Sequence, residues 1–341
     1  MGLAIKDLLV IKEIEVKDLQ GKKVAVDSFN MLYQFLTTIR SRDGTLLKDS
    51  KGNVTSHLVG LFSRTAKLME YGIKPIFVFD GVPPKIKQAE RERRKEIKIE
   101  AQKKYEIAVE KEDLEEMKKY ASMTTRLNKD MIDEAKELIG CLGLPVVQAK
   151  SEGEAQAAYI VKQGDAYAVV SQDFDSLMNG APNLVRNLSI VGKRKVASKL
   201  KYETVSPELI NLSENLNYLG IDQDHLIALG ILVGTDYNIG GIKGIGPKGA
   251  LKLVKQHKGI KDIFNGVEWK SETPWQEIFD TIKDMPVEKD YKIHFNQIDE
   301  EKLKKFLVDK HDFSEERINS SIKNLIRKKE EKSQKGLGSF F

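Results

Sequence analysis

Acidic residues follow several short apolar runs of the sequence, at the points where strands are predicted to end. Asp27 ends the run in "KKVAVDS", Asp80 ends that in "KPIFVFDG", and Asp173 and Asp175 follow the run in "AYAVVSQDFDSL". A single aspartate at a strand end is usually a helix cap or a turn residue. Capping is a weaker explanation when three strand ends carry acids, because the carboxyl ends of parallel strands open onto one crevice. The pattern predicts a site lined by carboxylates.

The close spacing of Asp173 and Asp175 indicates what such a site would hold. Side chains of an extended chain repeat every two residues, so both carboxylates are expected on the same side of the strand end, with Phe174 packing the other way. Crowded carboxylates repel each other and keep their protons unless a cation lies among them. Hard divalent ions prefer oxygen ligands, and the pattern therefore predicts a divalent metal site.

Three further acids are candidates for the same site. Glu152 and Glu154 lie in "KSEGEAQ", directly before a predicted helix. Ser151 and Glu154 also fit a capping box, and the local sequence supports capping and metal binding equally, since one glutamate can cap while the other points out. Asp236, in "GILVGTDYN", says little by itself. A set of seven acids exceeds the needs of one ion and suits two metals, which can activate water and stabilise the leaving oxygen in phosphodiester hydrolysis.

The composition limits the other chemistries open to the chain. Cys141 is the single cysteine of 341 residues, which excludes an internal disulfide framework and a zinc site built on several cysteines, and fits a reducing compartment. The five histidines show no ligand spacing. No apolar run approaches the length of about 20 residues that spans a membrane. We therefore expect a soluble, intracellular protein without membrane contact, whose net charge of +5 leaves nucleic-acid binding dependent on where the charges lie.

The elements around the acids indicate the fold class. The apolar runs before Asp27 and Asp80, together with "GLPVVQA" and "AYAVVSQD", are typical of strands buried on both faces. Helical segments such as "SHLVGLFSRTAKLMEYG", ending near Gly72, and "EAQAAYIVKQG" lie between these strands. The alternation predicts an α/β fold with a central, mostly parallel, twisted sheet flanked by helices. From Tyr202 onward the chain is expected to be mostly helical.

A highly charged segment, residues 85–119, interrupts this alternation. Nine basic and four acidic residues lie from Lys85 to Lys104, whereas Glu106 to Glu116 holds six acids and one lysine. Such a run is most often a solvated surface helix with paired charges. Its position directly after Asp80 favours a different interpretation, an exposed helical insertion whose basic half faces a polyanion.

The segment "GGIKGIGPKGALKLVKQH", residues 240–257, is a glycine-rich turn that leads into a helix. Glycines let a backbone approach a phosphate, and the N–H groups of a helix N-terminus favour its negative charge. Lys243 and Lys248 add positive charge beside Gly244, Gly246 and Gly249. A simple connector is the alternative, but the pattern favours a helix–hairpin–helix element that binds the DNA backbone.

The last residues, "QKGLGSFF", are apolar at the end of a charged segment. Exposed phenylalanines at the end of a polar tail favour a partner with an apolar pocket. Gln334, Leu337, Phe340 and Phe341 have the spacing of a peptide that binds a sliding clamp.

Taken together, these segments resemble the flap endonucleases of the archaeal and eukaryotic type, in the structure-specific 5′ nuclease superfamily with its PIN-like fold. The resemblance covers essentially the whole chain. It is carried by "GLAIKDLL", "VAVDSFNMLYQFL", "TSHLVGLFSRT", "PIFVFDGVPPKIK", "EGEAQAA", "SQDFDSL", "GTDYN", "GIGPKGA" and the clamp-binding tail.

The resemblance implies a role for each candidate residue. The metal-binding acids of the family match Asp27, Asp80, Glu152, Glu154, Asp173, Asp175 and Asp236. These acids would hold two Mg²⁺ ions, which Mn²⁺ can replace. Lys87 and Arg94 match a basic pair at the base of a helical arch that acts on the scissile phosphate, so that catalysis is assigned to Lys87, Arg94, Asp27, Asp80 and Asp173. Tyr33 matches a tyrosine that stacks near the cleaved nucleotide, and Gly2 matches an N-terminal glycine close to the site.

The resemblance also implies the reaction and its partners. The expected activity is hydrolysis at the base of 5′ flaps, with gap and 5′–3′ exonuclease activity, in Okazaki-fragment maturation and DNA repair. Expected partners are flapped or nicked duplex DNA, gripped at the 240–249 loop partly through K⁺, and the sliding clamp (PCNA), with the protein a monomer away from the clamp. The expected location is the cytoplasm or nucleoid of an archaeon, or the nucleus of a eukaryote. The alternatives are another 5′–3′ exonuclease or excision-repair nuclease of the superfamily, and a DNA- and clamp-binding scaffold without catalysis.

The same segments suggest how the chain is divided. Residues 1–98 would form an N-terminal nuclease region and residues 116–258 an internal nuclease region. The arch would be inserted at residues 85–130. Residues 259–329 would form a C-terminal helical region, and residues 330–341 a flexible tail with the clamp-binding peptide.

Overall fold

A twisted sheet with helices on both faces forms the centre of the protein, as the sequence predicts. The computed structural model describes residues 3–190, 192–195 and 202–337. The strands in these ranges are β1 (Lys12–Glu13), β2 (Lys23–Asp27), β3 (Lys74–Phe79), β4 (Val146–Gln148), β5 (Ala168–Val170), β6 (Asn183–Arg186), β7 (Gly192–Lys195), β8 (Tyr202–Val205) and β9 (Glu208–Asn211). None of the helices in these ranges is long and apolar enough to cross a membrane.

The helices of the described ranges surround this sheet and extend beyond it. They are α1 (Ser28–Thr38), α2 (Ser56–Glu70), α3 (Gln88–Glu110), α4 (Leu114–Met123), α5 (Lys129–Cys141), α6 (Gly153–Lys162), α7 (Asp175–Met178), α8 (Leu212–Leu219), α9 (Gln223–Val233), α10 (Pro247–Gln256), α11 (Ile260–Asn265), α12 (Trp275–Lys283), α13 (Glu300–Lys304) and α14 (Glu315–Leu337). A short 3₁₀ turn, Lys85–Lys87, precedes α3, and a π-helical turn, Lys305–Lys310, follows α13.

The strand order places the acid-bearing strands side by side. The seven-stranded sheet has the order β1-β9-β6-β5-β2-β3-β4, and the five strands from β6 to β4 are parallel. In the register of the central strands, Val26 lies opposite Val170 of β5, and Asp27 lies opposite Val78 of β3. The carboxyl ends of β2, β3 and β5 therefore meet at one edge of the sheet, where parallel α/β sheets bind their ligands.

Alternate residues of the strands fill two cores, one on each face of the sheet. Val24 and Val26 pack on one face, and Ala25 of the same strand packs on the other. The central strands are buried on both faces, which explains why their sequences are apolar runs without alternation. This burial fixes the sheet register and thereby the positions of the acids that follow the strands.

The structure differs from the prediction of a mostly helical chain after Tyr202. β8 pairs with β7 in a separate two-stranded ribbon, and β9 joins the main sheet antiparallel to β6. Helices begin only at Leu212. The short segment of β9 carries one buried side chain, Ile210, so its sequence alone gives a weak strand signal, and pairing with β6 decides its conformation.

The charged insertion is helical and forms α3, of 23 residues, and α4, of 10 residues. α3 and α4 pack against each other, joined by a turn in which Glu112 has a φ of +53°. The first residue of α3 directly follows Lys87, so the basic end of the arch begins close to the sheet edge. The last helix, α14, continues through residues 330–337, a part of the segment expected to be a flexible tail. Lysine, glutamate and glutamine favour helix there, and no proline interrupts them.

Candidate metal centre and its basic neighbours

All seven predicted acids meet in one pocket at the carboxyl edge of the sheet. The pocket has a volume of about 270 Å³. Its lining consists of Asp27, Phe29, Asn30, Tyr33, Asp80, Lys87, Arg94, Glu152, Gly153, Glu154, Asp173, Asp175 and Asp236. The predicted basic pair and the predicted tyrosine therefore also line it, and the acids reach it from five different segments of the chain.

Asp27 both caps a helix and faces the pocket. It is the last residue of β2 and the N-cap of α1, where its carboxylate accepts hydrogen bonds from the Asn30 backbone N–H at 3.0 Å and from Ser171 Oγ at 3.1 Å. Burial and the neighbouring charges of Asp80 and Asp173 raise the pKa of Asp27 to about 7. The capping and metal-binding interpretations are therefore compatible for this residue.

Asp80 occupies the N-terminus of α6, where the sequence suggests a different cap. Its Oδ1 accepts a hydrogen bond from the Gly153 backbone N–H at 2.8 Å, and a Cβ at Gly153 would lie 2.6 Å from that oxygen. Ser151 Oγ instead donates to the Val82 carbonyl at 3.0 Å, so the Ser151–Glu154 capping box, one of the two interpretations that the local sequence left open, does not form. The carboxylate of Asp80, which follows β3, takes the place of a cap from the local sequence. Glu154 therefore does not cap the helix and faces the pocket. Burial, and next the charge of Glu152, raise the pKa of Asp80 to about 6.

Asp173 and Asp175 face the same pocket, but an extended strand is not the cause. β5 ends at Val170, Asp173 lies in a bend, and Asp175 is the first residue of α7. Asp173 accepts a hydrogen bond from Asn30 Nδ2 at 2.8 Å, and Asp175 accepts one from the Leu3 backbone N–H at 3.0 Å. Phe174 between them is buried in the core, as expected.

The electrostatics of the pocket favour a bound cation. Burial and the charge of Asp173 raise the pKa of Asp175 to about 7, and burial together with the charges of Asp175 and Asp27 raises the pKa of Glu154 well above its ordinary value. Carboxyls with such raised pKa values gain most from a cation that replaces their protons. The donor set, all carboxylate oxygen, fits Mg²⁺ or Mn²⁺. Within the described ranges, no three acid, histidine or cysteine side chains are already arranged as a ligand set.

Lys87 compensates two of the acids directly. Its Nζ lies 2.5 Å from Glu152 Oε1 and 3.0 Å from Asp236 Oδ2. Burial works against the charge of Lys87, but Glu152 and Asp236 outweigh it and raise the pKa of the lysine above its ordinary value. Tyr237 donates its hydroxyl to Glu152 Oε2 at 2.9 Å, so Glu152 is held from both sides.

Arg94, in the second turn of α3, also reaches Asp236. Its Nη2 lies 2.7 Å from Asp236 Oδ1, and its Nε lies 2.6 Å from Glu90 Oε1. Tyr33 of α1 also lines the pocket, and Lys98 Nζ of α3 lies 5.3 Å from the centre of its ring. The base of the arch thus presents positive charge beside a negative pocket and near the aromatic ring of Tyr33.

The other predicted binding residues lie away from this pocket or outside the described ranges. In the turn between α9 and α10, Lys243, Gly244 and Gly246 are exposed, and so are Lys248 and Gly249 in the first turn of α10, which begins at Pro247 as predicted. None of these five residues lines the acid pocket. Gln334 and Leu337 belong to α14. Gly2, Phe340 and Phe341 lie outside the described residues.

Asn30, which lines the pocket, and two residues beside the pocket, Tyr237 and Glu90, were not singled out from the sequence. Asn30 donates to Asp173 and accepts from the Gln172 backbone N–H at 3.3 Å. Tyr237 contacts Glu152, and Glu90 contacts Arg94. Asn30 follows Asp27 by three residues and Tyr237 follows Asp236 directly, so adjacency to a candidate acid was the available signal.

The raised pKa values predict how stability responds to pH. Between the ordinary value of 3.8 and about 7, the folded chain keeps a proton on Asp175 that the unfolded chain releases. The folded state then binds more protons, so this stabilisation is complete below pH 3.8 and disappears as the pH rises to about 7. The unfolding free energy of metal-free wild type should fall by about 4 kcal/mol relative to Asp175→Asn across that window.

Denaturant unfolding in chelator, from pH 4 to 8, measures this difference. Added Mg²⁺ should raise the melting temperature of the wild type more at pH 8 than at pH 5, because protons and the ion compete for the same carboxylates. NaCl at equal ionic strength is the control. A constant difference between wild type and Asp175→Asn would contradict the prediction.

Comparison with known proteins first defines the class. The family models for the XPG N-terminal domain and the XPG I-region match residues 2–101 and 143–236. These segments carry β2, β3 and β5 and all seven acids, and nucleases of this class depend on metal ions.

The relatives then narrow the assignment. Flap endonuclease 1 of Thermococcus onnurineus is 51% identical over 341 residues, which cover 100% of this chain and 99% of the relative. The structure of flap endonuclease-1 from Methanococcus jannaschii has a TM-score of 0.76 at 42% identity and covers 97% of this chain and 100% of its own. The catalytic core of Rad2 in complex with DNA substrate, at 23% identity and a TM-score of 0.70, shares the fold over 95% of this chain and 100% of its own. The chain belongs to the flap endonuclease family of structure-specific nucleases.

Proposed function

We propose that this chain hydrolyses the phosphodiester at the base of 5′ flaps by a two-metal mechanism. The observation that carries the proposal is the convergence of seven acids, several with raised pKa values, in one pocket beside the cations Lys87 and Arg94. Two Mg²⁺ ions, replaceable by Mn²⁺, would activate a water molecule and stabilise the leaving oxygen. The same site would support gap and 5′–3′ exonuclease activity, in Okazaki-fragment maturation and DNA repair.

Different residues of the site would bind the ions, the scissile phosphate and the nucleotide. Asp27, Asp80 and Asp173 would hold the ions, together with Glu152, Glu154, Asp175 and Asp236. Lys87 and Arg94, whose charges now face Glu152 and Asp236, would bind the scissile phosphate and stabilise the charge that develops on it. Tyr33 would stack on the nucleotide at the cleavage point. Gly2 lies outside the described residues, and its role at the site stays a prediction from the resemblance.

The domain division is part of the proposal. Residues 1–98 and 116–258 would form the nuclease regions, and the 5′ single strand would pass through or under an arch at residues 85–130. Residues 259–329 would form the C-terminal helical region. The protein would act as a monomer away from the clamp, at the nucleoid of an archaeal cell.

The loop between α9 and α10 is proposed to grip the duplex backbone, with K⁺ at residues 240–249. Its exposed glycines leave backbone N–H groups open to a phosphate, and Lys243 and Lys248 lie beside them. Lys243→Ala/Lys248→Ala should weaken binding of flapped DNA equally for all sequences and lower the slope of log affinity against log salt by about 2. Fluorescence anisotropy across a salt series measures this slope. Lys289→Ala, an exposed lysine outside the loop, is the control, and an unchanged slope in the loop variant would remove the loop from the interface.

The C-terminal peptide is proposed to bind the sliding clamp. Deletion of residues 334–341 should leave the cutting of free flaps unchanged within about twofold, because the pocket lies far along the chain from the tail, and should abolish stimulation by the clamp. A chain with Phe340→Ala/Phe341→Ala tests the aromatic anchors at constant length. Full stimulation of the truncated chain would refute the assignment.

Substrate choice tests the proposed function as a whole. A double-flap DNA, a bubble and a blunt duplex of the same sequence are compared in single-turnover assays with Mg²⁺. We expect the double flap to be cut fastest, with a product that ligase seals directly. Equal rates on all three substrates would favour a general exonuclease, and binding without any product would favour a scaffold.

A further inference from the structure

Glu90 is a buried carboxylate at the base of the arch, outside the acid pocket. It lies in the first turn of α3, and only 3% of the residue is exposed. Its oxygens accept hydrogen bonds from Arg93 Nε at 2.7 Å, from Arg93 Nη2 at 2.9 Å and from Arg94 Nε at 2.6 Å. Burial alone would raise the pKa of Glu90, but these bonds hold it below its ordinary value. Glu90 is therefore an anion that two guanidinium groups share.

The contact fixes the plane of the Arg94 side chain. A guanidinium is a rigid planar fork, so an Nε held by Glu90 determines where the Nη groups point. In this orientation Nη2 lies 2.7 Å from Asp236 in the acid pocket. The Arg94 side chain is 41% exposed, so without such a contact it has the rotamer freedom of a surface arginine. Arg93 binds Glu90 as well but does not line the pocket.

We propose that Glu90 is a positioning residue for Arg94, which it holds in the plane that aims the Nη groups at the acid pocket and hence at the scissile phosphate. The inference rests on the proposed function for the role of the phosphate. The orientation of Arg94 is a property of the protein alone and is tested separately.

Crystal structures of Glu90→Ala and Glu90→Gln, both without metal, test the orientation. In Glu90→Ala the Arg94 guanidinium should lose its single orientation and its 2.7 Å contact with Asp236. In Glu90→Gln the amide oxygen still accepts from Nε, so the orientation should survive. Glu100→Ala is the matched control, because it removes an ion pair with Lys104 at 2.6 Å on the same helix. An unchanged Arg94 in the Glu90→Ala crystal overturns the inference.

Single-turnover cutting of a double-flap DNA tests the consequence. Glu90→Ala should lower the rate by about 10- to 100-fold, the usual effect of losing an orienting partner, and Glu90→Gln should recover most of the loss. Glu100→Ala should leave the rate unchanged. In the Arg94→Ala background, Glu90→Ala should have no further effect, since Glu90 acts through Arg94.

The outcomes separate positioning from a general role in folding. If Glu90→Ala lowers the rate by the same factor with and without Arg94, Glu90 acts through the arch as a whole and the inference is wrong. If Glu90→Ala cuts flap DNA at the wild-type rate, the inference that Glu90 positions Arg94 is also wrong. If the wild-type protein does not cut flap DNA, the proposed function fails, and the orientation of Arg94 in the Glu90→Ala crystal still decides this inference.

Discussion

Replacing Asp173 by alanine should abolish flap cutting while leaving flap binding nearly intact. The carboxylate lies in the pocket with the other acids and makes one hydrogen bond, from Asn30, so its removal should cost the fold little. The loss in single-turnover rate should exceed about 1,000-fold, because metal-bound oxygens carry much of the charge stabilisation in phosphodiester hydrolysis. Binding should survive, because the basic arch and the α9–α10 loop are the parts proposed to hold the DNA.

Cleavage of end-labelled double-flap DNA and anisotropy binding measure the two effects. Asp80→Ala should behave similarly in catalysis but also destabilise the protein by about 1 kcal/mol, since its carboxylate caps α6. Asp133→Ala, an exposed aspartate of α5, is the matched control and should cut normally. Turnover of Asp173→Ala close to that of the wild type would contradict the two-metal proposal.

Lys87→Ala should slow the chemical step by about 100- to 1,000-fold with little change in flap affinity. The ammonium group lies between Glu152 and Asp236, at the side of the pocket where the arch begins, so it is placed to stabilise charge that develops on the phosphate. A donor that acts mainly in the transition state changes the rate and not the affinity. Single-turnover rates and dissociation constants of the same DNA separate the two.

Lys85→Ala supplies the control for Lys87→Ala, because it removes a lysine from the same 3₁₀ turn that does not line the acid pocket. The metal-free Lys87→Ala protein should also melt at a lower temperature, since the carboxylates of Glu152 and Asp236 lose their partner, and Mg²⁺ should restore part of the loss. If Lys87→Ala raises the dissociation constant of the flap but leaves the single-turnover rate at the wild-type value, Lys87 serves binding alone.

The sequence predicted the sheet because its central strands carry a local signal. β2, β3 and β5 are short apolar runs buried on both faces, and each is followed by an acid. Their parallel arrangement follows from the intervening helices, so the meeting of Asp27, Asp80 and Asp173 could be expected without coordinates. The segment of β9 is not an apolar run, and its strand conformation depends on pairing with β6, a long-range contact that the local sequence does not show.

The fine geometry of the pocket depended on contacts that a local pattern does not contain. Ser151 and Glu154 fit a capping box, but Asp80, 73 residues from Gly153 in the chain, occupies that helix end. Asp173 and Asp175 share a pocket through a bend and the start of α7, and not through the strand repeat. In each case the residue type was identified correctly, and the backbone around it was decided by a distant partner.

The sequence by itself determined the chemistry: which acids and bases the chain has, which strands end in them, and which family it resembles. The tertiary structure decided how these groups are paired: Lys87 with Glu152 and Asp236, and Arg94 between Asp236 and Glu90. The physical reason is that strand formation and burial depend on nearby residues, whereas ion pairs depend on distances between segments as far apart as the 142 residues that separate Arg94 from Asp236.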